Sequence, residues 1–300
     1  MRRARADIAL GLAALILLAG CTGSEPAAAP AGPSVRQQQL TVDGLPRTYR
    51  LFAPATLDRR APVPLVLVLA GVGNTGEQMV GVTQFDRLAE KENIVVAYPE
   101  GVDRTWNGGY CCPNGATSQP DDVAFIDAVL DDVEAVEQID PTRVFAVGFS
   151  GGAIMAHRLG CDLAARIAGV AAVSGSMVLD DCRPSEPVSV IAINGTVDEL
   201  VPYEGGPTAG GATQPSPPAP EVVRRWAELN GCPPESTTVP EGVVVTMTWT
   251  GCSQDTAVRL ITIEGGGHTW FAPGFGPVNG AVDATQAVWD FLSAGGPHRS

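Results

Sequence analysis

The chain has 300 residues, of which 45% are hydrophobic and 17% charged, and its formal net charge is −14. This much apolar sequence supports a substantial core and excludes a disordered protein. The acidic balance argues against a nucleic-acid binder, which needs a positive surface. The chain has three histidines (His157, His268 and His298) and no His-x-x-x-His pair, which argues against a histidine-built metal site, so we expect no metal.

The first twenty residues have the features of an export signal. Three arginines precede the apolar run 8–18, which has about the length of a signal-peptide core and is too short for a stable membrane span. The run ends in Leu-Ala-Gly followed by Cys21, and this sequence resembles a bacterial lipobox. The alternative is an ordinary signal peptide that a cysteine follows by chance.

We therefore predict that residues 1–20 are a lipoprotein signal peptide and that Cys21 carries the lipid. Residues 21–36, rich in Ala, Pro and Gly, are predicted to be a flexible tether, and residues 37–300 the folded catalytic domain. We expect an exported protein, either a cell-membrane lipoprotein that faces outward or an extracellular protein. Its contact with the membrane is expected to be the lipid alone.

Six cysteines follow the lipobox, and an even number indicates disulfide bonds in an exported protein. Proximity in sequence favours two pairs, Cys161–Cys182 and Cys232–Cys252. The adjacent Cys111 and Cys112 then remain, and a bond between neighbouring cysteines is strained and uncommon. Reduced, buried thiols are the alternative for all six.

Hydrophobic patterning along the domain predicts alternating strands and helices. A hairpin with an Asp43-Gly44 turn is predicted to come first, over 41–52. Continuous aliphatic runs predict strands at 65–69, 94–97, 144–147, 170–173, 188–193 and 258–263. Helical spacing predicts helices at 84–92, 121–137, 153–159 and 284–292. This alternation indicates an α/β fold with a mainly parallel, twisted sheet, helices on both faces, and ligands at the carboxyl ends of the strands.

The most informative turn is Gly-Phe-Ser-Gly-Gly at 148–152, which matches the G-x-S-x-G pattern of a nucleophile elbow. A predicted strand precedes it and a predicted helix follows, and a tight corner between them needs small residues beside Ser150. The helix N-terminus also offers the backbone N–H of Gly151 to a developing oxyanion. The alternative is a glycine-rich turn in which the serine caps the helix.

A nucleophilic serine needs a base, and elimination identifies it. His157 lies seven residues after Ser150, about 10 Å farther along the same predicted helix, so it cannot reach back. His298 lies close to the C-terminus, where chains fray. His268 remains, in a Gly-Gly-Gly-His-Thr-Trp loop just after the predicted strand 258–263.

The third member should be an acid between serine and histidine in the chain, because this architecture has the order Ser, Asp or Glu, His. Asp198 follows the strand 188–193 at its carboxyl end and is our prediction. The competing carboxylates are two that precede this strand, Asp180 and Asp181, and two that follow the predicted acid, Glu199 and Glu204.

A second glycine pattern competes with this interpretation. Residues 71–76 match G-x-G-x-x-G after a strand, and Glu100 ends the next strand, as in a dinucleotide fingerprint. Export argues against it, and so do Gly81 and Thr83, which are expected to interrupt the helix that would hold a pyrophosphate. We instead expect this loop to complete the oxyanion hole through the N–H of Val72.

Four motifs together resemble the secreted esterase family of polyhydroxybutyrate depolymerases, feruloyl esterases and acetylxylan esterases, with its actinobacterial lipoproteins. The resemblance covers roughly residues 40–293. The motifs are Trp106-Asn107 with Cys111-Cys112 and Asp121-Asp122-Val123, Asp140-Pro141-Thr142-Arg143 before the elbow, Asn194-Gly195-Thr196-Val197-Asp198, and Gly267-His268-Thr269-Trp270. Two positions depart from the family, which usually has His where this chain has Ala70 and Asn where it has Gly151.

The resemblance implies an α/β-hydrolase fold and a serine carboxylesterase that works without a cofactor, through an acyl-serine intermediate. It implies as substrates polyhydroxybutyrate-like polyesters or the feruloyl and acetyl esters of plant polysaccharide. We expect a monomer whose partner is the ester substrate. The alternatives are a serine peptidase on the same fold and a non-catalytic binding lipoprotein.

Substrate-binding residues are less marked in the sequence. Trp106 and Trp270 are candidates for stacking on an aromatic acyl group or a sugar, and Trp270 neighbours the histidine. Trp226 lies in a helical stretch and Trp289 in the last predicted helix, and both are expected in the core. The loop 204–220, rich in Gly and Pro, either borders the site or is a plain surface connection.

Overall fold

The computed structural model describes residues 34–110, 120–209 and 214–295. Strands are β1 (Ser34–Val42), β2 (Leu45–Ala53), β3 (Val63–Leu69), β4 (Val95–Pro99), β5 (Ile139–Phe149), β6 (Gly169–Val173), β7 (Ser189–Gly195), β8 (Thr237–Glu241), β9 (Val244–Trp249) and β10 (Val258–Ile263). Helices are α1 (Gly76–Thr83), α2 (Phe85–Glu92), α3 (Asp122–Glu134), α4 (Gly151–Asp162), α5 (Ala219–Leu229), α6 (Gly276–Asn279) and α7 (Ala284–Ala294).

These strands form one sheet in the order β1-β2-β4-β3-β5-β6-β7-β10-β9-β8. The six central strands, from β4 to β10, pair in parallel, and antiparallel strands extend the sheet at both sides. The predicted fold class is therefore confirmed: an α/β fold with a mainly parallel sheet. The carboxyl ends of the central strands lie along one edge, where this architecture places its ligands.

Alternate side chains of the central strands pack against two different layers. In β3, Leu65, Leu67 and Leu69 belong to the apolar core that contains residues of α3, α4 and α5. Val66 and Val68 belong to the core that contains residues of α1, α2 and α7. Helices thus cover both faces of the sheet, which is why these strands read as continuous aliphatic runs in the sequence.

The opening hairpin has the predicted turn, because Asp43 and Gly44 both adopt positive φ angles, 51° and 78°. Its first strand is longer than predicted. Ser34 already pairs with Ala53, so three residues assigned to the tether belong to the sheet. Alternating exposure along β1 explains the pairing, since one face of the strand contacts the body of the protein.

The prediction that Gly81 and Thr83 interrupt a helix is wrong. Helix α1 runs through Gly81 and ends at Thr83. A capping box stabilises its start: Thr75 accepts a hydrogen bond from the Gln78 backbone, and the Gln78 side chain accepts one from the Thr75 backbone. The buried Met79 anchors the helix, so the cap and this contact outweigh the cost of one glycine.

Two disulfide bonds join the pairs favoured by sequence proximity, Cys161–Cys182 and Cys232–Cys252. Disulfides persist in oxidising compartments, which supports a location outside the cytosol. Cys21, Cys111, Cys112 and His298 lie outside the described residues. Within the described ranges, no helix combines the length and the apolar character needed to cross a membrane.

The sequence pattern does not predict the hairpin of β8 and β9, which turns at Gly242, where φ is 63°. Strand β8 is the outermost strand of the sheet at this side, and all five of its residues are exposed. It contains Pro240 and ends at Glu241. The strand lacks the apolar alternation that marks half-buried strands, and this is why the pattern passed unnoticed.

Candidate active site

Four loops meet at the carboxyl edge of the sheet. They follow β3, β5, β7 and β10, and they carry residues 70–75, Ser150, Asp198 and His268, respectively. Because these strands are parallel and close together in the sheet, residues far apart in sequence become neighbours here. The convergence follows from the order of the strands and was expected from the sequence.

Ser150 occupies a strained turn between β5 and α4. Its φ and ψ angles are 54° and −119°, outside the regions that residues other than glycine ordinarily adopt. The turn is also crowded: a Cβ at Gly148 would lie 2.1 Å from the carbonyl oxygen of Gly152, and one at Gly152 would lie 2.1 Å from that of Leu69. The glycines therefore permit the turn that exposes the serine hydroxyl.

The structure brings three of the predicted residues into one hydrogen-bonded series. His268 Nε2 lies 2.9 Å from Ser150 Oγ, and His268 Nδ1 lies 2.8 Å from Asp198 Oδ2. Within the described ranges, Asp198 is the one carboxylate that contacts His268. The four competitors lie elsewhere; Asp181 pairs with Arg183, and Asp180, Glu199 and Glu204 are exposed.

Asp198 is 5% exposed, and hydrogen bonds satisfy both of its carboxylate oxygens. Oδ1 accepts from the backbone N–H groups of Leu200 and Val201, each at 2.8 Å. These bonds fix the direction in which Oδ2 faces the histidine.

Direct contacts join the acid loop to the histidine loop. Val197 N donates to the carbonyl oxygen of Gly266 at 2.9 Å, and the Thr196 hydroxyl accepts from Gly265 N at 2.9 Å. A Cβ at Gly195 would lie 2.2 Å from the Gly266 carbonyl oxygen, so the backbones pass as closely as glycine allows. The Asp198–His268 distance is thus set by two loops that are bonded to each other.

Two backbone N–H groups next to Ser150 have no hydrogen-bond acceptor among the described residues. One is Gly151 N, at the start of α4, and the other is Val72 N. A Cβ built on Gly151 would lie 3.3 Å from Val72 N, so the two groups are close neighbours. Donors of this kind, near a serine hydroxyl, are suited to bind a developing oxyanion.

A cavity of about 330 Å³ opens beside Ser150 and His268. Its walls are mostly apolar and come from Val72, Phe149, Ile154, Leu200, Val201 and Ala209, with Asn74 and Thr208 as polar members. The described part of the 204–220 loop therefore borders the site through Thr208 and Ala209. Leu200 and Val201 are not predicted from the sequence as wall residues, although they lie two and three residues after Asp198.

The prediction that Trp106 and Trp270 bind substrate is wrong, because each is only 2% exposed. The indole N–H of Trp106 donates to the carbonyl oxygen of Ala70 at 2.8 Å. That of Trp270 donates to Thr285 Oγ1 at 3.1 Å, and its ring packs against Phe85. Proximity in sequence to a functional residue does not determine the direction of a side chain, and both indoles point into the protein.

His157 does not contact the site. It is 1% exposed, its ring stacks on Trp226, and its Nδ1 accepts a hydrogen bond from Trp226 Nε1 at 3.0 Å. Burial lowers the pKa of His157 to about 3, so the ring is neutral at physiological pH. Trp226 and Trp289 lie in the core, as predicted.

One further residue supports the site without a signal in the sequence. Ser174, buried at the end of β6, donates through its hydroxyl to the carbonyl oxygen of Thr269 at 2.8 Å. This bond fixes the chain next to His268. Ser174 adopts a positive φ of 51°, and a lone serine after a strand gives no hint of this role.

Known proteins that are similar to this chain are named as esterases. A family model for phospholipases and carboxylesterases matches residues 120–214. A protein of Nocardia uniformis subsp. tsuyamanensis named "Putative esterase NocK" is 30% identical, over 95% of this chain and 97% of that protein. Feruloyl esterase C of Emericella nidulans is 29% identical, over 83% of this chain and 84% of that protein.

Among solved structures, the acetyl xylan esterase from Aspergillus awamori superposes with a TM-score of 0.60 at 15% identity, covering 86% of this chain and 99% of that one. This similarity shows a shared fold. The chain belongs to the esterase family of α/β-hydrolases that includes feruloyl esterases and acetylxylan esterases. It is accordingly a serine carboxylesterase.

Proposed function

We propose that this carboxylesterase uses Ser150 as nucleophile, His268 as general base and acid, and Asp198 as the residue that orients the histidine. The continuous series of hydrogen bonds from Ser150 Oγ through His268 to Asp198 Oδ2 is the observation that carries the proposal. A serine hydroxyl is a weak nucleophile until a base within hydrogen-bond reach takes its proton.

The reaction proceeds in two halves. As Ser150 Oγ bonds to the ester carbonyl carbon, its proton passes to His268 Nε2, and Asp198 stabilises the imidazolium. The C–O bond to the alcohol then breaks, and His268 returns the proton to the leaving oxygen, which leaves an acyl-serine. Water, deprotonated by His268, attacks the acyl carbon; the bond to Ser150 Oγ then breaks, and His268 returns the proton to Oγ, which releases the acid and restores Ser150.

Negative charge develops on the carbonyl oxygen in both halves. The N–H groups of Gly151 and Val72 are the donors that we assign to it, because both lie beside Ser150 and lack other acceptors among the described residues. Gly151 also lies at the first turn of α4, where the helix dipole favours negative charge. These donors stabilise the transition state more than the neutral ester.

For the substrate we propose feruloyl or acetyl esters of plant polysaccharide. The names of the relatives support this class, and so does the mostly apolar cavity, which suits an uncharged acyl group. Polyhydroxybutyrate-like polyesters are the competing class, because the same walls accept a short aliphatic acyl chain. The two classes differ in the acyl group that enters the cavity, and kinetics can separate them.

The test pairs one variant with a panel of esters. Ser150→Ala should abolish hydrolysis of p-nitrophenyl acetate while the thermal unfolding midpoint stays close to wild type, because losing the nucleophile costs several orders of magnitude. The wild type should then hydrolyse methyl ferulate or acetylated xylan with higher kcat/KM than it releases monomer from polyhydroxybutyrate granules. Residual activity of Ser150→Ala above about 1% would refute the assigned nucleophile.

We also propose that residues 1–20 are removed on export and that lipid on Cys21 anchors the mature enzyme through residues 21–33. The lipobox-like sequence supports this proposal. In the native host, activity should sediment with membranes, and Cys21→Ser should release it into the soluble fraction. Equal sedimentation of the two forms would contradict the anchor.

A further inference from the structure

The loop between β3 and α1, residues 70–75, carries the proposed Val72 donor, and we call it the oxyanion loop. It has little structure of its own: within it, one backbone hydrogen bond runs from Asn74 N to the carbonyl oxygen of Gly71, at 3.0 Å. Val72 is 48% exposed, and its side chain packs on one side only, against Gly151. The position of the Val72 N–H must therefore be set from outside the loop.

One neighbouring stretch of chain supplies three contacts. We call residues 100–107, which follow β4, the supporting segment. The indole of Trp106 donates to the Ala70 carbonyl oxygen at 2.8 Å, and the Arg104 carbonyl oxygen accepts from Gly73 N at 2.8 Å. The carboxylate of Glu100 accepts from Gly76 N at 2.7 Å, just after the loop.

Two of these contacts flank Val72 along the backbone, those to Gly73 N and to the Ala70 carbonyl oxygen, and the Trp106 contact is the one of the two that a side chain makes. The Val72 N–H belongs to the peptide group that starts at Gly71, and the carbonyl of that group accepts from Asn74 N. The preceding carbonyl, that of Ala70, accepts from Trp106. The side chain of residue 70 is a methyl group and donates no hydrogen bond, so the indole is what orients the start of the loop.

Trp106 is itself firmly held. Its ring lies in the apolar core, and the next backbone N–H, that of Asn107, donates to Asp122 Oδ2 at 2.7 Å. Asp122 is fully buried and pairs with Arg47 at 2.6 Å, and Arg47 donates to the Glu100 carbonyl oxygen at 3.1 Å. A buried ion pair thus connects both ends of the supporting segment.

We propose that Trp106 is a positioning residue for ester hydrolysis: its indole N–H holds the Ala70 carbonyl so that the Val72 N–H faces the oxyanion. The proposal rests on the mechanism above. It predicts that loss of the indole N–H lowers kcat and leaves KM nearly unchanged, because the oxyanion exists in the transition state and not in the bound ester.

The test replaces Trp106 in two ways. Trp106→Phe removes the donor and part of the ring, and 3-benzothienylalanine at position 106 keeps the ring shape and removes only the N–H. We expect either change to lower kcat for p-nitrophenyl acetate about tenfold, less than the 10²–10³ that deletion of an oxyanion donor costs. Inhibition by a trifluoromethyl ketone, whose adduct carries an oxyanion, should weaken by the same factor.

Trp226→Phe is the matched control. It also removes an indole hydrogen bond from a buried ring, but the partner is His157, away from the site. It should lower the unfolding temperature and leave kcat within twofold. The proposal is overturned if the benzothienylalanine enzyme keeps wild-type kcat and inhibitor affinity, or if Trp226→Phe loses kcat equally. Full activity of Ser150→Ala would instead refute the proposed function.

Discussion

Ser150 lies between two stretches of backbone that different forces hold in place. On one side, the elbow (residues 148–152) is shaped by lack of space, since a Cβ at Gly148 or Gly152 would lie 2.1 Å from a carbonyl oxygen. On the other side, the oxyanion loop is less crowded: a Cβ at Gly71 would lie 3.1 Å from the Phe149 ring, and one at Gly73 would meet nothing within 4 Å. Hydrogen bonds from the supporting segment hold that loop instead. A substitution that adds atoms to the elbow should therefore cause a large loss of activity. Loss of one hydrogen bond to the oxyanion loop should lower the activity only in part.

The largest effect is expected at the elbow, from Gly148→Ala. The added methyl group overlaps the Gly152 carbonyl, so we expect a loss of more than about 3 kcal/mol in the free energy of unfolding, beyond typical overpacking. Hydrolysis of p-nitrophenyl acetate should fall at least a hundredfold. Denaturant unfolding and steady-state kinetics give the two measurements.

Gly81→Ala is the control for that change. Gly81 lies in α1, and a Cβ there would meet nothing within 4 Å. The same substitution should therefore raise the free energy of unfolding by about 0.5–1 kcal/mol through helix propensity and keep full activity. If Gly148→Ala behaved like Gly81→Ala, the steric account of the elbow would be wrong.

The next effect concerns the far end of the helix that the elbow begins. The Cys161–Cys182 bond ties the last turn of α4 to the chain beyond β6 and closes a loop with a sequence separation of 21. Replacing both cysteines with Ser should cost about 3 kcal/mol of unfolding free energy. Because the elbow lies at the other end of α4, kcat should stay within about twofold. Removing the Cys232–Cys252 bond, whose cysteines are 20 residues apart, should cost a similar unfolding free energy. A loss of kcat in either variant would show that the disulfide bonds affect catalysis as well as stability.

Acid should destabilise α4 through His157. Its pKa is lowered by burial from 6.5 to about 3, so the unfolded chain binds a proton that the folded chain does not bind. Stability is therefore unaffected above pH 6.5 and falls as pH drops below it, by about 1.4 kcal/mol per pH unit. Unfolding free energies at pH 7 and pH 5 should differ less in His157→Asn than in the wild type; an equal difference would exclude His157 as the cause.

The smallest effect is expected at the oxyanion loop, from Glu100. Glu100→Ala removes the acceptor of the Gly76 N–H and should lower kcat a few-fold, about the cost of one hydrogen bond. Glu100→Gln keeps an oxygen acceptor and should retain nearly full kcat. Burial raises the pKa of Glu100, so its ionised form costs stability at pH 7, and the Gln variant should be at least as stable there. A loss of kcat in Glu100→Gln equal to that in Glu100→Ala would refute this account.

The same contrast explains what the sequence could predict. Crowded turns need glycine, and glycine leaves a visible pattern, so the elbow and the close approach of Gly195 to the histidine loop sit in recognisable motifs. The parallel sheet that brings Ser150, Asp198 and His268 to one edge follows from the alternation of strands and helices.

The contacts that could not be predicted are those between side chains and backbone groups far apart in the sequence. Trp106 and Ala70 are 36 residues apart, and nothing in either local sequence shows that an indole will donate to that carbonyl. For the same reason, the sequence led to the wrong prediction that Trp106 and Trp270 stack on the substrate. Helix α1 was missed for a different reason: one glycine was given more weight than the cap at Thr75.

The outermost strand has a consequence for how molecules of this protein meet. An exposed sheet edge offers unpaired backbone groups to any other strand, and this is a common route to aggregation. All five residues of β8 are exposed, yet Pro240 has no N–H to donate and Glu241 brings a charge. A strand of another molecule would need a regular series of backbone hydrogen bonds along β8. Pro240 interrupts that series and Glu241 places a carboxylate beside it, so this edge is protected against pairing with a copy of itself.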